Sequence, residues 1–301
     1  MKIVAFSKNK YERAKLGVVI QNTILDVECA YRIIHGEPPS WFQNVEGLIN
    51  GGDVAFELLR KFLGEIKLNS EIEPCIHQLY NVYYYPPIMK PEKILCVGMN
   101  YKEHVKETGN PLPEEPYIFT KLVSNLIGHK WPVLIPKISK QVDHEGELAV
   151  VIGKTGKYIS KEEAMNYVLG YTVFNDISFR DLRPSKRYVV NWLRSKNLDT
   201  AAPIGPWIVT KDEIDDPYNL EVKVLVNDEL RQKGNTNDMI FSISELIEYI
   251  SKGLTLKPGD IISTGTPAGT GLSTGKFLRA GDVVRVIIEK IGTLENPVIS
   301  E

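Results

Sequence analysis

Residues 145–153, EGELAVVIG, constrain the fold more than any other segment. From Leu148 to Ile152 the run is apolar at both parities, so a strand here is covered on both faces and belongs inside a layered structure. At its start Glu145 and Glu147 stand two apart and therefore share a face. Adjacent carboxylates at a buried strand repel one another and resist desolvation unless a cation or a shared proton compensates. A divalent metal is the simplest compensation, and all-oxygen ligation suits Mg²⁺, Mn²⁺ or Ca²⁺ but not Zn²⁺. The plainer alternative is a solvated strand end, which spacing alone favours because Glu-x-Glu is common.

The rest of the chain reads as mixed α/β (α+β) without the regular alternation of a doubly wound sheet. Short β-branched runs at 2–6, 16–20 and 23–27 predict three strands, followed by helical periodicity over 41–64 with a break at Asn50-Gly51-Gly52. Residues 81–92 carry proline and three consecutive tyrosines, so they read as a linker that packs a small unit, 1–80, on a larger one, 93–301. In the larger unit, Asn100 with Glu103 predicts a capped helix over 101–108. GYTVFND (170–176) predicts a strand, joined to 145–153 through a helix opened by Ser160 and Glu163. Thr210 with Glu213, and Ser242 with Glu245, predict two further helix starts. The C-terminal third is β-rich, and its paired segments LKPGDIIS and LRAGDVVR reflect ordinary Gly-Asp turns, not a duplicated fold.

Charge and cysteine content narrow the function. With 36 Lys+Arg against 38 Asp+Glu the net charge is −2, which argues against nucleic acid or an anionic membrane as the main partner. There is no apolar run of about 18 or more residues to span a bilayer, and the first apolar stretch is too short for a signal peptide. Cys29, Cys75 and Cys96 show no Cys-x-x-Cys pairing and the chain has no N-glycosylation sequon, so a disulfide scaffold is not expected and a cytoplasmic setting fits.

Three other features carry candidate chemistry. His104 and Glu107, three apart on a short helix, share a face, and such a pair can act as a general base. From spacing alone the favoured reading is an exposed His–Glu pair of little energetic weight. Asp176 ends a strand and becomes a ligand donor only if that strand neighbours Glu145 and Glu147. The glycine-rich segment 263–276 matches neither GxxxxGK[ST] nor GxGxxG, which leaves its backbone N–H groups and the Thr266 hydroxyl to meet a carboxylate. Lys196 by itself is an ordinary surface lysine, and His35, His77, His129 and His144 read as structural.

Taken in order, KILCVGMNYKEHVKE, YIFTK, DHEGELAVVIGK, GYTVFNDISFRD, WLRSKNLDTAAPIGPWIVT, VNDELRQ, TLKPGDIISTGTPAGTG and FLRAGDVV resemble the fumarylacetoacetate hydrolase family across nearly all of 93–301. Residues 1–80 resemble the small variable domain that many members carry. The resemblance implies a mixed β-roll catalytic domain, usually a homodimer, with one divalent metal per subunit, Mg²⁺ or Mn²⁺ with Ca²⁺ possible. It places Glu145, Glu147 and Asp176 on the metal-ligand positions, His104 and Glu107 on a catalytic dyad, and Lys196 on the active-site lysine. Arg180, Thr266, Lys121 and Gln232 fall on positions lining the substrate site. Members commonly carry glutamine three residues after the arginine of the NDxSxRD segment; here that residue is Arg183, followed by a basic stretch. Arg183 or Arg187 is therefore expected to meet a second substrate carboxylate.

The activity implied is Mg²⁺-dependent hydrolysis of a C–C bond in a 2,4-dioxo acid of the acylpyruvate or fumarylpyruvate type, through a stabilised enolate. The alternative is isomerase or decarboxylase action on a 2-hydroxy-diene or 2-oxo dicarboxylate, oxaloacetate included, or dehydration of a 2-keto-3-deoxy sugar acid. A non-catalytic carboxylate-binding role would need no base, so the intact ligands, dyad and lysine speak against it.

Overall fold

The computed structural model describes residues 1–66, 70–183 and 191–301, and Arg187 lies outside them. The architecture is mixed α/β, built on one large sheet, a five-stranded sheet packed against it, and helices on the remaining face.

The strand Gly146–Ile152 sits in the middle of the large sheet, buried at every position. Its even residues Leu148, Val150 and Ile152 face the apolar side of the five-stranded sheet, where Val222, Val224, Val284 and Val286 join one core. Its odd residues Ala149 and Val151 face a second core with Phe42, Phe56, Leu59 and Phe62 from the N-terminal helices. Two covered faces are the physical reason for apolar residues at both parities. Gly146, between the two glutamates, is required by the same packing: a Cβ there would lie 2.4 Å from Val224 Cγ2 and 2.9 Å from Val286 Cγ1.

Across the large sheet, Ile76–Gln78, Thr23–Asp26, Lys15–Ile20 and Lys2–Ser7 lead to Ala202–Thr210, and Val168–Asn175, Gly146–Ile152, Ile261–Ser263, Ile94–Gly98 and Tyr117–Thr120 follow. Hydrogen bonds run directly between Lys2–Ser7 and Ala202–Thr210, with Ile3 opposite Ile208, so the N-terminal strands extend the central sheet. Tyr84 of the tyrosine run pairs with Phe6, and Tyr85 donates its hydroxyl to Glu12 O at 2.7 Å, which is the packing role expected for that segment.

The helix pair Val45–Asn50 and Gly52–Glu65 breaks at Gly51-Gly52 as its composition predicts, with Gly52 at φ +58°. The Ser242–Glu245 capping box forms and starts helix Ile243–Ser251. The two Gly-Asp turns are equivalent: Asp260 accepts from Lys257 N and Asp282 from Arg279 N, at 2.8 and 2.7 Å.

Several expectations are corrected. The 160–167 segment forms only a 3₁₀ turn at Ala164–Tyr167 that begins after Glu163, and Thr210 precedes another at Lys211–Glu213 without capping it, its hydroxyl accepting instead from the Met1 ammonium at 2.6 Å. Asn100 does not cap helix Lys102–Glu107. Its amide instead staples two loops, donating to Thr264 O and Phe241 O and accepting from Phe241 N. Helix Val27–His35 occupies residues following a strand that ends at Asp26, whose side chain caps it at Cys29 N.

The expectation that no disulfide forms is also overturned: Cys29 and Cys75, 46 residues apart, are joined with Cα atoms 5.5 Å apart. The capped helix brings Cys29 to the turn Glu73–Cys75, a meeting that sequence spacing cannot show. The thiol argument for a cytoplasmic setting goes with it. Among the described residues no helix is long and apolar enough to cross a membrane.

Candidate metal centre and catalytic dyad

The strands Gly146–Ile152 and Val168–Asn175 are antiparallel neighbours, with Gly146 opposite Asn175. Asp176, one residue beyond, donates its N–H to Glu145 O at 2.8 Å, and Asn175 Oδ1 accepts from Glu145 N at 3.0 Å. Direct pairing, not a helical crossover, is thus what brings the third carboxylate to the first two. Oxygen atoms of Glu145, Glu147 and Asp176 lie within 4.8 Å of one another, and all three residues are buried.

The electrostatics distinguish the three. Glu145 is buried, which opposes ionisation, but Arg180 Nη2 and Lys196 Nζ both contact it and hold its carboxyl well below the usual range. Asp176 accepts from Lys196 Nζ at 2.5 Å on Oδ2 and is ion-paired with Lys121, whose Nζ lies 2.7 Å from Oδ1. Glu147 has no cationic partner among the described residues; Oε2 accepts from Ser263 Oγ at 2.6 Å and Gly265 N at 3.0 Å. Burial, then Asp176 and Glu145, push its carboxyl well above the usual range. A buried carboxylate crowded by two like charges is the feature that a divalent cation would relieve, so the residues present fit such an ion.

Helix Lys102–Glu107 carries the dyad. His104 Nδ1 lies 2.7 Å from Glu107 Oε1, and Glu107 Oε2 accepts from Gly269 N at 2.9 Å. Burial opposes ionisation of Glu107, but these two hydrogen bonds outweigh it and hold the carboxyl below its usual range. The bond to Glu107 places the proton on Nδ1 and leaves Nε2 as the basic nitrogen.

One cavity of about 510 Å³ is lined by His104, Glu107, Glu145, Asp176, Lys196 and Arg180, together with Arg183, Thr266 and an aromatic wall. In that wall Trp192 stacks on Phe119 at 4.6 Å and donates to Tyr117 OH at 3.0 Å. Arg180 already spans Asp143 and Glu145, and Lys196 spans Glu145 and Asp176. Arg183, by contrast, is exposed and has no carboxylate partner among the described residues.

Lys121 and Gln232 do not line this cavity. Lys121 is buried behind Asp176, and its ammonium also donates to Ile177 O and Ala201 O at 2.7 and 2.6 Å. Gln232 supports the site from the opposite face of the strand: it donates to Thr266 Oγ1 and Pro267 O and accepts from Gly146 N and His144. His144 does point away from Glu145, as strand parity predicts, and burial lowers its basicity. The glycine-rich segment spends its N–H groups on protein carboxylates, Gly265 on Glu147, Gly269 on Glu107, and Gly271 and Leu272 on Asp143. Asp143 belongs to no motif that marks it in the sequence; its one local signal is that it precedes Glu145 by two and continues the same parity.

Residues 93–299 match the family model described as fumarylacetoacetate (FAA) hydrolase, C-terminal. The chain is 48% identical over 303 residues to the mitochondrial oxaloacetate tautomerase fahd2 of Xenopus laevis, covering 99% of this chain and 90% of that one. It is also 48% identical to oxaloacetate tautomerase YisK of Bacillus subtilis, over 77% of this chain and 78% of that one. Among solved structures, maleylpyruvate hydrolase from Sphingobium sp. SYK-6, in complex with manganese(II) and pyruvate, superposes with a TM-score of 0.76 at 32% identity, covering 100% of this chain and 99% of that one.

Proposed function

The chain belongs to the fumarylacetoacetate hydrolase family, and from that premise we propose that it is a metal-dependent tautomerase of a 2-oxo dicarboxylate of the oxaloacetate class. A single juxtaposition carries the assignment: Glu145 and Asp176 of the carboxylate cluster, the His104–Glu107 dyad and the guanidinium of Arg183, unpaired among the described residues, border one cavity. The near full-length likeness to an oxaloacetate tautomerase supports it. In this reading the resident ion is Mg²⁺ or Mn²⁺, one per subunit of a homodimer, held by Glu145, Glu147 and Asp176.

The reaction exchanges a proton on C3 for one on the 2-oxo oxygen, with no net loss of atoms. His104 Nε2 takes the C3 proton while the enolate oxygen takes one from solvent, and in the ketonising direction His104 returns its proton to C3 as the enol proton leaves to solvent; Glu107, fixed by Gly269 N, keeps the ring oriented and steadies the imidazolium. The divalent ion supplies Lewis-acid polarisation of the 2-oxo acid when bound. Lys196 sets a positive charge where the enolate oxygen develops, a contribution that is often the largest in catalysis. Arg183 meets the second carboxylate, and the Phe119–Trp192 wall keeps bulk water from the carbanionic carbon.

C–C bond hydrolysis of an acylpyruvate-type substrate is the second reading, favoured by the likeness to maleylpyruvate hydrolase. It shares the enolate but needs water delivered to the C4 carbonyl.

The test follows the ultraviolet absorbance of enol-oxaloacetate with Mn²⁺ and again with EDTA, while pyruvate is measured in parallel. Metal-dependent ketonisation without pyruvate is expected, and His104→Gln should slow it roughly 10²–10⁴-fold. Pyruvate from oxaloacetate would instead mark a decarboxylase. Pyruvate plus an acid from maleylpyruvate or acetylpyruvate, with no enol turnover, would establish the hydrolase and overturn the tautomerase.

A further inference from the structure

We infer that Asp143 is the positioning residue that sets the metal centre and the catalytic dyad together. Its carboxylate is fully buried and collects four donors from two parts of the fold. Oδ1 accepts from Gly271 N at 2.6 Å and His144 N at 2.8 Å. Oδ2 accepts from Leu272 N at 2.9 Å and Arg180 Nε at 2.7 Å.

Each set of bonds leads to a different functional group. Through Arg180, whose other face contacts Glu145, Asp143 fixes the guanidinium that orients one candidate ligand and offsets its charge. Through Gly271 and Leu272 it anchors the glycine-rich segment two residues beyond Gly269, whose N–H holds Glu107 and hence His104. That anchor is specific to a small, charged acceptor. A Cβ on Gly271 would lie 2.5 Å from Asp143 Oδ1, so the backbone meets the carboxylate closely. Charge-assisted bonds of this kind are shorter and stronger than neutral ones, and removing the buried acceptor strands its donors.

The geometry explains why one cavity wall can hold a ligand and a base in register. Glu147 lies on strand Gly146–Ile152, Glu145 just before it and Asp176 just beyond Val168–Asn175, while helix Lys102–Glu107 carries the base, and helix and carboxylate cluster are tied through the same loop. Asp143 touches no cavity-lining oxygen site itself; it acts through Arg180 and through the loop. The inference rests on the metal-centre and dyad assignment, but two of its readouts require no substrate.

Asp143→Asn keeps the shape and replaces one acceptor oxygen by an amide donor, which faces either Arg180 Nε or the loop N–H groups. Mn²⁺ titration by calorimetry, amide exchange at Gly269–Leu272, and turnover at saturating Mn²⁺ are measured on the full chain. We expect Mn²⁺ affinity to fall at least about tenfold, as when a partner of a ligand is lost. Exchange at Gly269 and Leu272 should accelerate, and kcat should fall with KM little changed. Arg180→Lys, which keeps the cation but loses the fork, should weaken Mn²⁺ binding while leaving loop exchange as in the unaltered protein. If Asp143→Asn does not fold, Arg180→Lys still decides: faster loop exchange there would show that the two limbs are not separate, and would overturn the inference. An Asp143→Asn protein with unaltered Mn²⁺ affinity, or with kcat preserved at saturating Mn²⁺, would overturn it equally. Should neither protein turn over oxaloacetate, the titration and exchange results still stand, and only the substrate assignment fails.

Discussion

Four carboxylates and three cations share the buried centre, yet each is used differently. Asp143 and Glu145 divide Arg180, Glu145 and Asp176 divide Lys196, Asp176 also takes Lys121, and Glu147 is left to neutral donors. Arg183 lines the cavity with no acidic partner among the described residues, which leaves its charge for a ligand in the proposed reading. Replacing it with glutamine, the residue common at this place in the family, should raise KM for a dicarboxylate about tenfold or more, since a hydrogen bond to a charged group is worth about 1.5–3 kcal/mol. Steady-state kinetics on oxaloacetate beside a monocarboxylate 2-oxo acid would check it. An equal loss on both substrates would remove Arg183 from the specificity argument.

At the scale of elements, helix Ile243–Ser251 offers a clean measurement, because its capping box is complete and away from the cavity. Lys161, then the Ser242 side chain and backbone, hold the Glu245 carboxyl down to about 2. A carboxyl depressed on folding stabilises fully above its ordinary value near 4.5 and loses that contribution as pH falls towards about 2. Acid unfolding of Glu245→Gln should therefore show a shallower loss of stability across that window. Ser242→Ala should cost about 1 kcal/mol at neutral pH by urea denaturation. The disulfide is the second case. Closing a 46-residue separation removes unfolded-state entropy worth about 4 kcal/mol in the chain-entropy account. Thiol quantification on the chain unfolded without reductant should find one free cysteine, the buried Cys96, and three once reductant is added. Urea midpoints with and without reductant, or in Cys75→Ser, measure the energy directly.

For the whole molecule, the proposed ion couples to folding. An ion that binds only the folded chain stabilises it by about 2.7 kcal/mol at a hundred times its dissociation constant. Thermal unfolding should shift upwards with Mn²⁺ and return with EDTA, and Glu147→Gln should abolish most of the shift. A shift retained in that variant would move the ion away from the Glu145, Glu147 and Asp176 cluster.

The same two cores that enclose the central strand also explain what could be read in advance. Apolar residues at both parities of Leu148–Ile152 are a local record of burial on both faces, and the family motifs register a set of site residues in chain order. Helix breaks and caps behaved likewise where the deciding contact is local, the backbone of Gly52 at positive φ and the Ser242–Glu245 box three residues apart. Where a side chain had competing partners, short-range rules failed: Asn100 joins Phe241 and Thr264 across more than a hundred residues instead of capping its own helix. The sequence by itself determined the mixed α/β class and set Glu145 with Glu147, and His104 with Glu107, on common faces, because strand and helix periodicity align residues two or three apart; the ligand and base roles proposed for them came from the family resemblance. Only the tertiary structure decided that direct strand pairing brings Asp176 to the two glutamates, that Lys121 and Gln232 stand behind the cavity, that Cys29 meets Cys75, and that Asp143 ties the loop to Arg180. Those pairings join residues distant in the chain, and they depend on which strands neighbour which, information that no local pattern of residues carries.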